Sequence, residues 1–339
     1  MNITIVTDAW APQVNGVVRT LEATRDLLIL MGHKVAIIAP DQYRSLPCPT
    51  YPEIRLSVAG ARRVGRDIAA TAPDAIHLST EGPLCVAARN WCVARGIPFT
   101  TAFHTQFPDY VAARTGVPAR WTWRYLRWFH APAHAVLVST PTLKRTLATH
   151  GIAYTRLWGR GVDLGQFTPD QPLSAALAGL PRPIQLYVGR VAVEKNLDAF
   201  LATSHPGSKV VVGDGPALET LRRRYTQAHF VGKLHGVELA AAYAHADVFV
   251  FPSRTDTFGL VMIEAMACGT PVAAYPVPGP IDVVSTETGA LDPGLDAAIT
   301  RALGCDRDIV AAYGRKFSWE ASARQFLAAL APIERRIAA

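Results

Sequence analysis

The chain has 339 residues, a net charge of +7, 50% hydrophobic residues and only 18% charged ones. That length is too great for one ordinary compact core, and the composition excludes a disordered chain, so two packed α/β domains are expected. The positive balance favours an anionic partner without choosing among a phosphate-bearing ligand, a lipid surface and nucleic acid.

The opening residues Met1-Asn2-Ile3-Thr4-Ile5-Val6 lack the basic flank and cleavage pattern of a signal peptide and read as a first strand. Further strands are predicted at 35–39, 75–78, 99–103, 135–138, 184–188, 210–212, 248–251 and 272–275, the first spanning 3–7. Helix-length segments separate most of them, two ended by a glycine at the stop position, Gly32 after 21–31 and Gly96 after 86–95. Continuous apolar strands alternating with helices argue for parallel sheets covered on both faces. Residues 163–183 break this rhythm with Pro169, Pro172, Pro181 and Pro183, and read as a linker between two doubly wound domains. A second polar break at 293–306 precedes two C-terminal helical segments. Such folds place ligands at the carboxyl ends of strands, so the cleft between the domains is the expected active site. No stretch reaches the roughly 20 apolar residues of a spanning helix. The five cysteines, Cys48, Cys85, Cys92, Cys268 and Cys305, form no C-x-x-C pair, which fits buried thiols in a reducing compartment.

Five places carry chemistry. In the first strand–loop–helix, Gly16 opens a helix, where a phosphate can approach the backbone. His104 ends the strand 99–103 and precedes Thr105-Gln106-Phe107-Pro108-Asp109-Tyr110; a histidine so placed is either a structural or solvated group or part of a site. From Arg120 to His130 a helix aligns Arg120, Arg124 and Arg127 in one basic stripe, bordered by Trp121 and Trp128, with Tyr125, Leu126 and Phe129 turned away. It reads either as an interfacial helix drawn to anionic lipid headgroups or as a core helix with a solvated arginine edge. After the strand 184–188, Arg190 and Lys195 flank a strand-to-helix loop. Lys195 at a helix start is the wrong end for a cation, a placement that an anion such as a diphosphate explains; a solvated lysine is the alternative. After the strand 248–251 comes a polar turn, then a helix apolar on every side except at Glu264, and therefore buried. A buried carboxylate costs several kcal/mol unless it is hydrogen-bonded, so Glu264 either meets a structural partner or accepts from ligand hydroxyls. Asp256 lies in the turn, where the amides of Phe258, Gly259 and Leu260 can face a ligand and Gly259 removes the side chain from its approach.

The segment from Asp256 to Glu264 resembles the E-x7-E signature of the family-four retaining glycosyltransferases with the GT-B fold, Asp256 replacing the first glutamate. The resemblance implies two facing Rossmann-like domains with an interdomain cleft. It implies that Asp256 with Phe258, Gly259 and Leu260 holds the donor sugar, Glu264 the ribose, and Arg190 and Lys195 the leaving diphosphate. It further implies that the Gly16 loop closes on the donor, and that His104 contacts the sugar near the reacting carbon as a positioning and electrostatic group. Gly213-Asp214-Gly215-Pro216 and Val231-Gly232-Lys233 resemble loops lining the nucleotide pocket, and Arg160-Gly161-Val162-Asp163 the interdomain turn. Ser-Arg-Thr-Asp-Thr-Phe-Gly, beginning at Ser253, is similar to a subgroup of GDP-mannose-dependent α-mannosyltransferases and related glycolipid synthases. The likeness is weakest over 41–71. The expected domains are 1–165 on the acceptor side, 166–316 for the nucleotide-sugar, and a helix in 317–339 packing back on the first. The expected reaction moves a hexose, with mannose from GDP favoured, to a lipid or glycolipid acceptor. The enzyme is expected to be cytoplasmic and peripheral on the inner membrane face, with no metal or cofactor and no nucleic acid.

Other classes fit less well. For a nicotinamide dehydrogenase, Leu218 takes the third glycine position after Gly213 and Gly215, and no acidic residue ends the next strand. No P-loop and no G-x-S-x-G occur. A non-catalytic nucleic-acid-binding protein explains the charge but leaves Asp256 and Glu264 without a purpose. A UDP-hexose or UDP-hexuronic acid donor to diacylglycerol, an epimerase or a phosphorylase share the same fold expectation. The only D-x-D string, Asp306-Arg307-Asp308, reads as a solvated helix start.

Overall fold

The computed structural model describes residues 1–11, 13, 15–48, 51–104 and 118–334, with the backbone alone for 48 and 51–54. The chain forms two compact units, one of Met1–Gly159 with Trp319–Ala339, the other of Arg160–Ser318. The proline-rich stretch 163–183 lies inside the second unit rather than between the two; Phe167 and Leu177 anchor it in that unit's core. Backbone pairing of Val162 with Ser318 ties the start of the second unit to its last residue.

In the first unit the strands β1 (Asn2–Val6), β2 (Lys34–Ile38), β5 (Ala75–Leu78), β6 (Thr100–Phe103), β7 (Ala135–Val138) and β8 (Thr155–Leu157) form one parallel sheet in the order β2-β1-β5-β6-β7-β8. Between β2 and β5 lies an antiparallel hairpin, β3 (Ser45–Cys48) with β4 (Tyr51–Ser57), which the apolar pattern does not announce. β5, β6 and β7 are buried at every position, as expected for strands covered on both faces. Side chains supply what the helix ends lack. Asn15 Oδ1 accepts from the amides of Val17 and Val18 at the start of Gly16–Leu30. The buried Asp8 carboxylate, just past β1, caps Pro83–Val93 from outside by accepting from Leu84 N at 2.8 Å and Cys85 N at 3.3 Å. The last helix, Trp319–Ala329, packs in this unit's core through Phe326 and Ala329.

The second unit repeats the plan with β9 (Ile184–Val188), β10 (Ser208–Val212), β11 (His229–Gly232), β12 (Val248–Phe251), β13 (Val272–Ala274) and β14 (Gly289–Leu291), ordered β11-β10-β9-β12-β13-β14 and parallel throughout. Strand order reverses between β9 and β12, and in a doubly wound sheet the crevice at that reversal is where ligands bind. The loops after these two strands carry the acids and cations singled out in the sequence.

Candidate active site

The loop after β9 is fixed from below. Tyr187, buried in β9, donates from its hydroxyl to the carbonyl of Arg190 at 2.8 Å. Gly213, at the end of neighbouring β10, lets the two loops touch backbone to backbone: a Cβ there would lie 1.9 Å from the Gly189 carbonyl oxygen. A short 3-10 turn, Val193–Lys195, then leads through Asn196 into Leu197–Leu201. Asn196 has left-handed backbone angles, which asparagine tolerates well. Its side-chain amide donates to the Pro252 carbonyl at 3.1 Å, stitching the β9 loop to the β12 loop.

That stitch brings the charged groups together. Lys195 Nζ donates to Asp256 Oδ1 at 2.6 Å, with the two side chains 25% and 24% exposed. The anion that offsets the awkward placement of Lys195 is, in this structure, Asp256 itself. The other oxygen of Asp256, Oδ2, is buried and has no hydrogen-bond partner among the described residues. Arg190 is exposed on the same loop. Phe258 sends its ring inward, edge-on to Phe317 at 6.2 Å. Gly259 stands at φ +83, and a Cβ there would press on Met262 and Phe251 at 2.9 Å, so the turn requires glycine. Leu260 opens the helix Leu260–Ala267. Two segments distant in sequence thus present a cation, a carboxylate and a helix start at one strand reversal.

Glu264, in that helix, is 4% exposed and accepts at Oε2 from the hydroxyl of buried Tyr243 at 3.0 Å. The structural partner of Glu264 is thus Tyr243, on another helix, Gly236–His245, which no local sequence pattern points to. Burial, with the Glu264 charge adding to it, pushes the Cys268 thiol up to about 12, so this thiol is no nucleophile at neutral pH. Among the described residues no group of three or more His, Cys, Asp or Glu side chains is placed to hold a metal ion.

Gly16 and His104 belong to the first unit. Gly16 is exposed at the start of its helix, with the neighbouring amides of Val17 and Val18 already taken by Asn15; Pro12 and Val14 lie outside the described residues. His104 follows β6, nearly buried, its ring edge-on to Trp158 at 5.5 Å. The residues after it, 105–117, lie outside the described residues.

The helix Ala119–His130 exposes Arg120, Trp121, Arg124, Tyr125, Arg127 and Trp128 and buries Leu126, Phe129 and His130. Tyr125 therefore sits on the outer face, not turned away: its hydroxyl reaches sideways to donate to the Glu81 carbonyl, which keeps the ring at the surface. Arg89 lies over Trp128 at 4.0 Å and holds the helix end by donating to the carbonyls of Trp128 and Phe129. The D-x-D string is structural rather than simply solvated. Asp306 caps Arg307–Gly314, and Arg307 donates to the carbonyls of Ala244 at 2.6 Å and Ala246 at 2.7 Å. No helix among the described residues is long and apolar enough to cross a membrane.

Residues 14–166 match the family model Glycosyltransferase Family 4, and residues 182–304 match Glycosyl transferases group 1. Over 334 residues the chain is 33% identical to a GDP-mannose-dependent alpha-mannosyltransferase of Mycolicibacterium smegmatis, covering 89% of each protein. The chain belongs to the family 4 glycosyltransferases. It is also 34% identical over 308 residues to the sulfoquinovosyl transferase SQD2 of Arabidopsis thaliana, spanning 82% of this chain and 60% of that protein. The structure is similar to a sucrose-phosphate synthase of Thermosynechococcus elongatus, with a TM-score of 0.75 and 25% identity over 97% of this chain and 98% of the other. The two Rossmann-like units are those of the GT-B fold, and this family 4 member is a glycosyltransferase that uses nucleotide sugars.

Proposed function

We propose that this glycosyltransferase moves mannose from GDP-mannose, with retention at the anomeric carbon, to a lipid or glycolipid acceptor. The observation that carries the reading is the contact of Lys195 with Asp256 at the β9–β12 reversal, which leaves Asp256 Oδ2 as a buried acceptor without a donor among the described residues. A sugar hydroxyl supplies that donor, and the amides of Phe258, Gly259 and Leu260 orient the same sugar. Glu264 accepts from the ribose. Arg190 and Lys195 balance the charge that develops on the departing diphosphate, an electrostatic task that replaces a metal ion. The bond from the anomeric carbon to the diphosphate breaks as the acceptor oxygen bonds on the same face, and the acceptor proton passes to the leaving phosphate. Gly16 meets the donor through its backbone, and His104 supports the sugar near the reacting carbon.

The exposed arginine and aromatic face of Ala119–His130 supports docking on an anionic membrane, on the cytoplasmic side. A second reading is a UDP-hexose or UDP-hexuronic acid donor with diacylglycerol as acceptor; the 27% identity to an alpha-monoglucosyldiacylglycerol synthase of Streptococcus pneumoniae supports that acceptor, and the comparable identity to a sulfoquinovosyl transferase supports a sugar other than mannose. Thermal shifts with GDP and UDP decide between the bases, because a ligand at 100 times its Kd stabilises by about 2.7 kcal/mol. A panel of nucleotide-sugars, with and without a chelator, then names the sugar and tests metal independence. No shift with either nucleotide rejects the reading. Sedimentation with anionic liposomes tests docking; unchanged binding on replacing Arg124, Arg127 and Trp128 removes it.

A further inference from the structure

We propose that Trp158 is a positioning residue for His104, and that the C-terminal helix Trp319–Ala329 holds Trp158 in place. The proposal rests on the assignment of His104 to the active site. Trp158 is fully buried and follows β8, its amide donating to the Val138 carbonyl at 2.8 Å. Rings that meet its indole among the described residues include His104 at 5.5 Å and 65°, His77 at 5.7 Å and 86°, and Phe326 at 4.9 Å and 49°. Such tilted and edge-on arrangements are those aromatic pairs prefer.

Two of these rings are themselves held. His77 Nδ1 lies 2.9 Å from Thr100 Oγ1, and its ring stands edge-on to Phe326 at 4.8 Å. Burial holds His77 down to about 3, so it remains a neutral wall at working pH. The residue after Trp158 is clamped by the same helix that supplies Phe326: Gly159 N donates to Gln325 Oε1 at 2.7 Å, and Ser322 Oγ donates to the Gly159 carbonyl at 2.8 Å. Residues more than 160 positions later in the chain thus touch the indole and clamp the backbone next to it.

His104, just past the end of β6, lies against the same indole. The strand fixes its backbone, but the direction of its ring depends on what the ring touches. A group near a reacting carbon must be held to about half an ångström, and a 1 Å misplacement costs roughly 10²-fold in rate. The indole therefore transmits the placement of the C-terminal helix to the histidine.

The test is a double-mutant cycle read as donor turnover, with GDP-mannose as the probe and donor Kd measured beside it. Trp158→Phe is expected to lower kcat about tenfold with donor Kd within about twofold, the pattern of a lost transition-state contact. In a His104→Ala background the same change is expected to have no further effect. Equal effects of Trp158→Phe in both backgrounds mean that Trp158 acts on the fold and overturn the proposal. If His104→Ala alone leaves kcat within about threefold, His104 has no part in the reaction and the premise falls. A readout independent of turnover uses histidine-labelled protein and NMR. Loss of the indole ring current in Trp158→Phe, or loosening of its backstop in the milder Phe326→Leu, is expected to shift the His104 ring signals. Unshifted His104 signals in a folded variant overturn the proposal.

Discussion

Lys195→Ala separates a catalytic from a structural cation. Lys195 Nζ lies 2.6 Å from Asp256 Oδ1, and about a quarter of each side chain meets solvent. An exposed pair is worth about 0–1 kcal/mol, while breaking a fully buried one costs about 3–5 kcal/mol. Water reaching both groups puts this pair near the low end, about 1 kcal/mol, or roughly 2–4 °C in Tm for domains of this size. The same ammonium beside a departing diphosphate is worth far more. Removing one preorganised stabiliser of developing charge costs about 10²–10³ in kcat, or roughly 2.7–4 kcal/mol. Turnover should therefore fall at least a hundredfold while the melting point moves by only a few degrees. Initial rates at saturating donor, well below Tm, give the first quantity and a thermal melt the second. Activity within about threefold of wild type, under ~0.7 kcal/mol of barrier, refutes the assignment. So does a loss of activity that merely follows a melting point lowered by ten degrees or more.

Tyr243→Phe removes the hydroxyl that reaches Glu264 and should destabilise by about 1–3 kcal/mol, read from a urea melt, with weaker nucleotide binding by calorimetry; unchanged values on both counts leave Tyr243 without the role given to it. Arg307→Ala strips the carbonyls of Ala244 and Ala246, in and just past the last turn of the helix Gly236–His245, of a charged donor and should cost about 2–4 kcal/mol, while initial rates at low temperature hold. Asp308→Ala on the exposed arm of the D-x-D string should leave rates unchanged, with and without added divalent cations. Burial depresses His77 from 6.5 to about 3, so between those values the unfolded state binds the proton and the folded state does not. Its contribution is complete above pH 6.5 and drains as pH falls, by about 2 kcal/mol at pH 5. His77→Gln should therefore show a shallower loss of stability than wild type between pH 7 and pH 5, in denaturant melts at each pH.

Central parallel strands were readable because burial on both faces makes them continuous apolar runs, as in Val248–Phe251. β8, with Arg156 and Leu157 exposed, and the three-residue β14 at the sheet edges carry no such run, and the hairpin β3–β4 falls where the apolar pattern fades. Proline misled in 163–183: it breaks regular elements, but a broken segment can still bury Phe167 and Leu177 in a neighbouring core. At the site the sequence shows which groups need partners better than it shows the partners. Glu264 on an apolar helix announced a buried charge, yet its donor Tyr243 lies 21 positions away on another element. The odd placement of Lys195 called for an anion, and Asp256, 61 positions on, meets it. Nothing local marks Asn196 as the stitch between two loops, or Trp158 as the neighbour of His104. Those roles exist only once β9 and β12, or β6 and β8, are brought into one sheet.

The division of the chain into Met1–Gly159 with Trp319–Ala339 around Arg160–Ser318 makes the second unit an insertion within the first. A ribosome completes the inserted unit before it releases the helix that finishes the outer one. The outer unit begins first and matures last, with the surface meant for Phe326 and Ala329 uncovered while Arg160–Ser318 is made. Shortening the chain at its end would therefore wound its beginning, leaving the inserted unit whole. Domains fold as units during synthesis, so nascent chains stalled before Trp319 should already protect Arg160–Ser318 from protease while β1 and its neighbours stay open to it.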